Sequence, residues 1–287
     1  KKIIIFKMKI GNIFLVINRR GYKSLILSSY YHLKYIFWKH VLRSNYLKKK
    51  IYNFKMFLNL KDKGLSRTLL LFGNRELDHK IILKNVLKKN MQVLDIGANI
   101  GYYTLIERNL IGKNKKIVAV EPIPENVKFL NKNLFLNNDK STVVLEGAVS
   151  NKSGSDYIYL SDHYNLGTFH SFGSSQKLLN KSKIKVKIYK LIDICINEGF
   201  PDLIRMDVEG HETKILDNLV KNSKKFKKLP LICFETHLTK YNKKNSMKKV
   251  LKSLFSLGYK VKYASSTSQK GTSIVEEQFK YFSKLEK

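Results

Sequence analysis

The chain has 287 residues, with 55 Lys or Arg against 22 Asp or Glu, so its formal charge is +33. A hydrophobic fraction of 43% excludes wholesale disorder, and two cysteines exclude a disulfide framework and predict a reducing compartment. Few of the basic residues are arginine. Proteins that recognise nucleic acids favour arginine because its forked side chain forms paired hydrogen bonds with bases and phosphates. We therefore attribute the charge to composition and expect no nucleic-acid partner.

Residues 1–65 are predicted to be a partly helical N-terminal extension. Because the chain begins at Lys1 rather than Met, we expect a fragment or a processed form. Apolar residues in the stretch 25–42 recur on one helical face: Ile26, Tyr30, Leu33, Phe37 and Val41. The preferred interpretation is a helix docked on the protein's own core. Basic residues on the helix leave contact with an anionic membrane surface as the alternative.

From residue 66 short apolar runs alternate with helical segments, which predicts a domain over residues 66–264 and a tail over 265–287. The runs read as buried strands at Gln92–Ile96, Ile117–Val120, Thr142–Leu145, Leu203–Met206 and Leu231–Phe234. Strands that alternate with helices are typical of an α/β fold with a doubly wound, mostly parallel, Rossmann-like sheet.

The strongest motif is VLDIGANIGYYT at residues 93–104, where a strand ends at Asp95 and turns into a helix. Gly97, Asn99 and Gly101 allow the backbone to pass close to a ligand. The spacing departs from the G-x-G-x-x-G pattern of dinucleotide sites, and an acid stands where a pyrophosphate would be repelled. Asp95 instead suits a ligand with a positive amino group.

Two further strand ends extend this predicted site. Glu121 ends the next strand, where a carboxylate can accept hydrogen bonds from both hydroxyls of a ribose. Glu146 and Ala148 follow the third strand and would line the same crevice near a base. Together they describe a site for an aminoacyl nucleoside without phosphates, and S-adenosylmethionine (SAM) is such a ligand.

The chain resembles the FkbM family of class I methyltransferases. Five blocks carry the resemblance: DIGANIGYYT (95–104), VEPIPENVKFLNKN (120–133), GAVSNKSG (147–154), LIRMDVEGHETKIL (203–216) and CFETH (233–237). The resemblance implies a seven-stranded SAM-binding sheet and O-methylation of hydroxyls on sugars, glycans or polyketide-like products. It also implies that Arg75 and Glu76 help to close the cofactor site. Arg205 is a departure, because the family usually has Lys there.

Four residues are candidate catalytic groups. Asp207 and Glu209 follow the fourth strand, and Glu235 and His237 follow the fifth. Two carboxylates and a histidine that converge suit a general base or a divalent metal site, and the sequence does not decide between them. His237 is the first candidate for the base because a histidine pKa lies near the working pH, and Asp207 is the second.

We therefore predict a SAM-dependent O-methyltransferase of a sugar, glycan or related small metabolite, located in the cytoplasm and peripheral to the membrane if the helix at 25–42 binds lipid. One alternative is an RNA or DNA methyltransferase. The segment DVEG at 207–210 disfavours it, because it lacks the proline and aromatic residue that such enzymes use on a flipped base. The other alternative is a membrane-surface protein with a degenerate cofactor fold.

Overall fold

The computed structural model describes residues 10–160, 167–169, 183–237, 240–243, 245–268 and 271–276. The chain divides into two compact units, Lys1–Leu77 with Ser265–Ser273, and Asp78–Ala264 with Ile274–Lys287. Within the predicted C-terminal tail, residues 269–270 and 277–287 lie outside the described part.

The N-terminal part of the first unit consists of helices and one hairpin. Its elements are α1 (Ile10–Ile36), a π-helix (Phe37–Val41), β1 (Tyr46–Ile51), β2 (Phe54–Asn59) and α2 (Leu65–Phe72). The backbone of α1 leaves helical geometry at Gly21, which has φ 76° and ψ 168°. The hairpin strands pair antiparallel, and alternate residues of β1 are buried, so one face of the hairpin is apolar.

The helix predicted at residues 25–42 is present, but its apolar face is not buried. Ile26 is 72% exposed and Leu33 is 64% exposed. The prediction that this apolar face docks on the protein's own core is therefore wrong. The other side of the helix packs inward, where the Tyr31 ring lies 3.5 Å from the ammonium group of Lys49 on the hairpin. Among the described residues, no helix is both long and apolar enough to cross a bilayer.

The second unit is built on a parallel sheet. The elements up to its third strand are α3 (Leu77–Val86), β3 (Val93–Ile96), α4 (Tyr102–Ile111), β4 (Ile117–Glu121), α5 (Pro124–Leu136) and β5 (Thr142–Glu146). Later elements are β6 (Ala148–Ser150), β7 (Gly154–Leu160), β8 (Gly167–Thr168), β9 (Lys183–Lys190), α6 (Leu191–Glu198), β10 (Leu203–Met206), α7 (Glu212–Lys221), β11 (Leu231–Phe234) and α8 (Met247–Ser256). β12 (Tyr263–Ser268) and β13 (Gly271–Glu276) pair with each other, and most of this hairpin belongs to the first unit. The main sheet has the order β11-β10-β3-β4-β5, and all neighbouring strands are parallel.

The predicted parallel α/β architecture is confirmed. Every residue of β3, β4 and β10 is buried, which explains why these strands read as continuous apolar runs rather than alternating ones. Leu94, Val118 and Ile204 from these strands pack in one core cluster with Ile215 and Leu219 of α7. The carboxyl ends of the strands therefore meet at one edge of a rigid sheet.

The expected number of seven strands is not confirmed, because the main sheet in the described part of the chain has five. β6 to β9 form a separate four-stranded sheet with the order β6-β9-β7-β8. β7 pairs antiparallel with β9 and with β8, and its first four residues are exposed. A largely solvated, antiparallel strand of this kind does not require burial on both faces, so it need not join the parallel sheet.

Candidate active site

The loop that follows β3 turns sharply into α4. Gly97, Asn99 and Gly101 have positive φ angles of 81°, 53° and 88°, a region that glycine and asparagine enter at low cost. A Cβ atom built on Gly97 would lie 2.2 Å from the carbonyl oxygen of Asp207. Glycine is required at position 97 because the main chain after β10 passes directly beside this loop.

Glu121 ends β4 and contacts the same loop. Its carboxylate accepts hydrogen bonds from the backbone N–H groups of Asn99 (2.9 Å) and Ile123 (3.0 Å) and from the side-chain amide of Asn126 (3.0 Å). Burial raises the pKa of Glu121 to about 7, although these hydrogen bonds act to lower it. A carboxylate has about four acceptor positions, so three bonds leave one for a ligand hydroxyl.

Asp95 forms a buried ion pair at the end of β3. Its side chain is 0% exposed, and it accepts hydrogen bonds from Arg205 (3.0 Å) and from the hydroxyl of Thr104 (2.6 Å). Asp95 and Arg205 are direct neighbours across β3 and β10, which places the two charges side by side. Arg205 also donates to the carbonyl of Gly97 (3.3 Å) and lies 3.5 Å from the Asp207 carboxylate. Asp95 therefore belongs to a buried ion pair that supports the loop, and its predicted role toward a ligand amino group stays a prediction.

Sequence reasoning missed a second buried acid beside this pair. Glu107 on α4 is 0% exposed, and neither of its carboxylate oxygens has a hydrogen-bond partner among the described residues. Burial raises the pKa of Glu107 well above its usual range, and the charge of Asp95 adds to this effect. The sequence did offer a signal for the burial of Glu107. Tyr103, Glu107 and Ile111 are four residues apart, which places Glu107 on the same helical face as two apolar residues.

Three of the four candidate catalytic residues come together at the carboxyl edge of the sheet. Asp207 and Glu209 follow β10, His237 follows β11, and the two strands are parallel neighbours. The Nε2 atom of His237 lies 3.8 Å from the Asp207 carboxylate and 3.6 Å from the Glu209 carboxylate. One potential ligand atom from each residue lies within 4.8 Å of the others. We call these three residues the acid–histidine group.

Glu212, at the start of α7, holds the imidazole in place. It is 0% exposed and accepts a hydrogen bond from His237 Nδ1 at 2.9 Å and from the Tyr241 hydroxyl at 3.0 Å. Burial acts to lower the pKa of His237, but the hydrogen bond to Glu212 and the charges of Glu212, Glu209 and Asp207 raise it to about 9. The predicted near-neutral pKa is therefore wrong, and His237 carries a proton at pH 7 when only protein groups surround it.

The remaining predicted residues lie outside this group. Glu235, predicted as a catalytic residue, is exposed and does not belong to the acid–histidine group. Glu146 is exposed at the end of β5, directly opposite Glu121, and Ala148 is buried at the start of β6. Glu76 belongs to the first unit, where it pairs with Arg75. The cofactor roles of these residues stay predictions.

The fold and the loop at the end of β3 define a class I-like, SAM-dependent methyltransferase. The sequence model described as "Methyltransferase FkbM domain" matches residues 95–261. The chain belongs to the FkbM methyltransferase family.

Solved structures similar to the chain are distant in sequence. A precorrin-6y C5,15-methyltransferase from Geobacter metallireducens GS-15 is 16% identical, with a TM-score of 0.41 over 71% of this chain and 85% of that one. The methyltransferase FkbM from Methylobacillus flagellatus KT is 13% identical, with a TM-score of 0.40 over 73% of this chain and 53% of that one. The TYW2 protein of M. jannaschii, solved with AdoMet, is 20% identical, with a TM-score of 0.30 over 36% of this chain and 43% of that one. Among curated proteins, no sequence matches significantly.

Proposed function

We propose that the protein transfers a methyl group from SAM to a hydroxyl oxygen of a sugar, a glycan or a related small metabolite. The observation that carries the proposal is the packing of the Asp207 main chain against Gly97. This contact puts the acid–histidine group next to the loop in which the FkbM family binds its cofactor. Carboxylates and a protonated imidazole offer acceptors and donors in one place, which suits the several hydroxyls of a sugar.

The residues around the loop fit SAM. Glu121 retains one acceptor position for a ribose hydroxyl, and the loop of Gly97, Asn99 and Gly101 brings main chain rather than side chain to the ligand. Glu146 and Ala148 would line the part of the site that holds the adenine of SAM. When bound, SAM supplies an electrophilic methyl group on a sulfonium centre.

The chain's own part in the reaction is to position the acceptor and to receive its proton. Alignment of the hydroxyl oxygen with the methyl group supplies most of the rate enhancement. The hydroxyl proton leaves as the new C–O bond forms and the methyl–sulfur bond breaks, which leaves a neutral thioether. The carboxylates of Asp207 and Glu209 are the groups available to receive the proton. His237, held by Glu212, orients these carboxylates and the substrate oxygens.

The test begins with cofactor binding. Titration calorimetry with SAM should show that Glu121→Gln weakens binding at least tenfold, because a hydrogen bond to a charged group is worth about 1.5–3 kcal/mol and 1.4 kcal/mol is a factor of ten. Glu125→Gln, on the exposed start of α5, is the matched control and should bind SAM normally. Equal binding by wild type and Glu121→Gln would refute the assigned cofactor site.

The acceptor is tested with SAM labelled in its methyl group. Purified enzyme is incubated with glycan and small-metabolite fractions, and label should appear in a product stable to mild alkali, as expected of a methyl ether rather than an ester. Label that is released by nuclease would instead identify a nucleic-acid acceptor and overturn the proposal.

A further inference from the structure

We propose that the acid–histidine group binds a divalent metal ion through one oxygen of Asp207, one oxygen of Glu209 and Nε2 of His237. The role of this ion rests on the proposed function, since it would hold the acceptor hydroxyl beside the cofactor loop and favour loss of its proton. Its binding can be measured without any substrate.

The distances between His237 Nε2 and the two carboxylates suit coordination of an ion better than direct hydrogen bonds. The separations of 3.6 and 3.8 Å between His237 Nε2 and the carboxylates are too long for hydrogen bonds. Ligand atoms about 2.1 Å from a metal stand roughly 3.4 Å apart in tetrahedral geometry. Small side-chain movements would therefore bring all three atoms into coordination, and the two carboxylate charges would balance a dication.

The surroundings of His237 support the same conclusion. Metal-ligating histidines commonly donate their second ring N–H to a carboxylate, which fixes the tautomer and the direction of the other nitrogen. Glu212 occupies that position at 2.9 Å from Nδ1, and it is itself held by the Tyr241 hydroxyl and by the N–H of Gly210 at 3.2 Å. This buried carboxylate leaves Nε2 directed at Asp207 and Glu209, and the Nε2 proton is released to solvent when the ion binds. Two oxygens and one imidazole nitrogen suit ions such as Mn²⁺, Fe²⁺ or Zn²⁺.

The experiment titrates the full chain, first dialysed against EDTA, with Mn²⁺ and follows the loss of the free-ion EPR signal. Wild type should bind one Mn²⁺ per chain, and His237→Ala and Glu209→Gln should each weaken binding at least tenfold. Glu212→Gln should weaken it by about 10–100-fold, because it removes the support of the histidine. Asp217→Asn, on the partly exposed face of α7, is the control and should bind as wild type does.

Folding of each variant is checked by circular dichroism, and SAM binding is measured on the same samples. Saturable Mn²⁺ binding that depends on His237, in a protein that does not bind SAM, would support the metal site and overturn the proposed function. SAM binding without stoichiometric Mn²⁺ binding, or equal Mn²⁺ binding by folded His237→Ala and folded Glu209→Gln, would overturn the metal site.

A separate observation concerns the first unit. The exposed apolar residues of the helix at 25–42 share one face: Ile26, Tyr30, Leu33, Phe37 and Val41. The first 61 residues of the chain contain 15 Lys or Arg and no Asp or Glu. We infer that this face lies on an anionic lipid surface, with the apolar side chains in the acyl boundary and the basic ones at the headgroups. A nucleic acid would account for the charge but not for the exposed apolar face.

Vesicle sedimentation tests this contact with the full chain. The protein should sediment with vesicles of phosphatidylcholine and phosphatidylserine, and much less with phosphatidylcholine alone. The double variant Ile26→Glu, Leu33→Glu should lose at least tenfold in binding. Phe135→Glu, which changes an 85% exposed residue of α5, is the matched control and should bind normally. Full binding by the double variant, or binding abolished by nuclease treatment, would overturn the inference.

Discussion

Replacing Asp95 with alanine should destabilise the second unit by about 3–5 kcal/mol, the usual cost of leaving a buried charge without its partner. Arg205 is 2% exposed and would lose its closest carboxylate, while the Thr104 hydroxyl would lose its acceptor. Because domains are stable by only about 5–15 kcal/mol, this loss would remove a large share of the free energy of unfolding. Urea unfolding followed by circular dichroism measures the effect.

Two companion variants separate the ion pair from a general effect of charge. Asp217→Ala removes a partly exposed i,i+4 pair with Lys221 and should cost no more than about 0.5 kcal/mol. The double variant Asp95→Leu, Arg205→Met removes both buried charges and should be more stable than Asp95→Ala. A loss below about 1 kcal/mol in Asp95→Ala would contradict the structural role of Asp95.

Gly97→Ala should lower methyl transfer by about 100-fold or more, because the added Cβ would displace the main chain of Asp207, and a shift near 1 Å in a catalytic group can cost that much. The contact of 2.2 Å leaves no room unless one of the two loops moves. The measurement is the rate of labelled methyl transfer, expressed per folded protein.

Gly112→Ala is the matched control for Gly97→Ala. Its φ of 85° is close to the 81° of Gly97, yet a Cβ at position 112 would meet nothing within 4 Å. Both variants carry a backbone cost of about 1–3 kcal/mol, but only Gly97→Ala carries the clash. Equal activity of the two folded variants would show that the approach of Asp207 to the loop does not matter for catalysis.

The sequence by itself determined the parallel α/β fold and the positions of its central strands. The strands predicted at Leu203–Met206 and Leu231–Phe234 have the observed bounds. The first is buried on both faces and therefore appears as a short apolar run. The second is an edge strand whose residues are exposed or half-buried, so the prediction that it is buried is wrong. The glycine-rich loop and the acids at the strand ends were also readable, since the spacing within each block is local. From these blocks the family followed, and the family model confirms it.

Only the tertiary structure decided what the ionisable residues do. Asp95 and Arg205 are 110 residues apart in the chain and become partners through the register of β3 and β10. The raised pKa of His237 depends on three carboxylates from the loop after β10 and the start of α7, and the raised pKa of Glu107 depends on burial. Tertiary structure also decided that the apolar face of the helix at 25–42 is exposed. An amphipathic pattern predicts that a helix has an apolar side, but it does not predict what covers that side. Charge states and burial are set by long-range packing, which local sequence patterns do not encode.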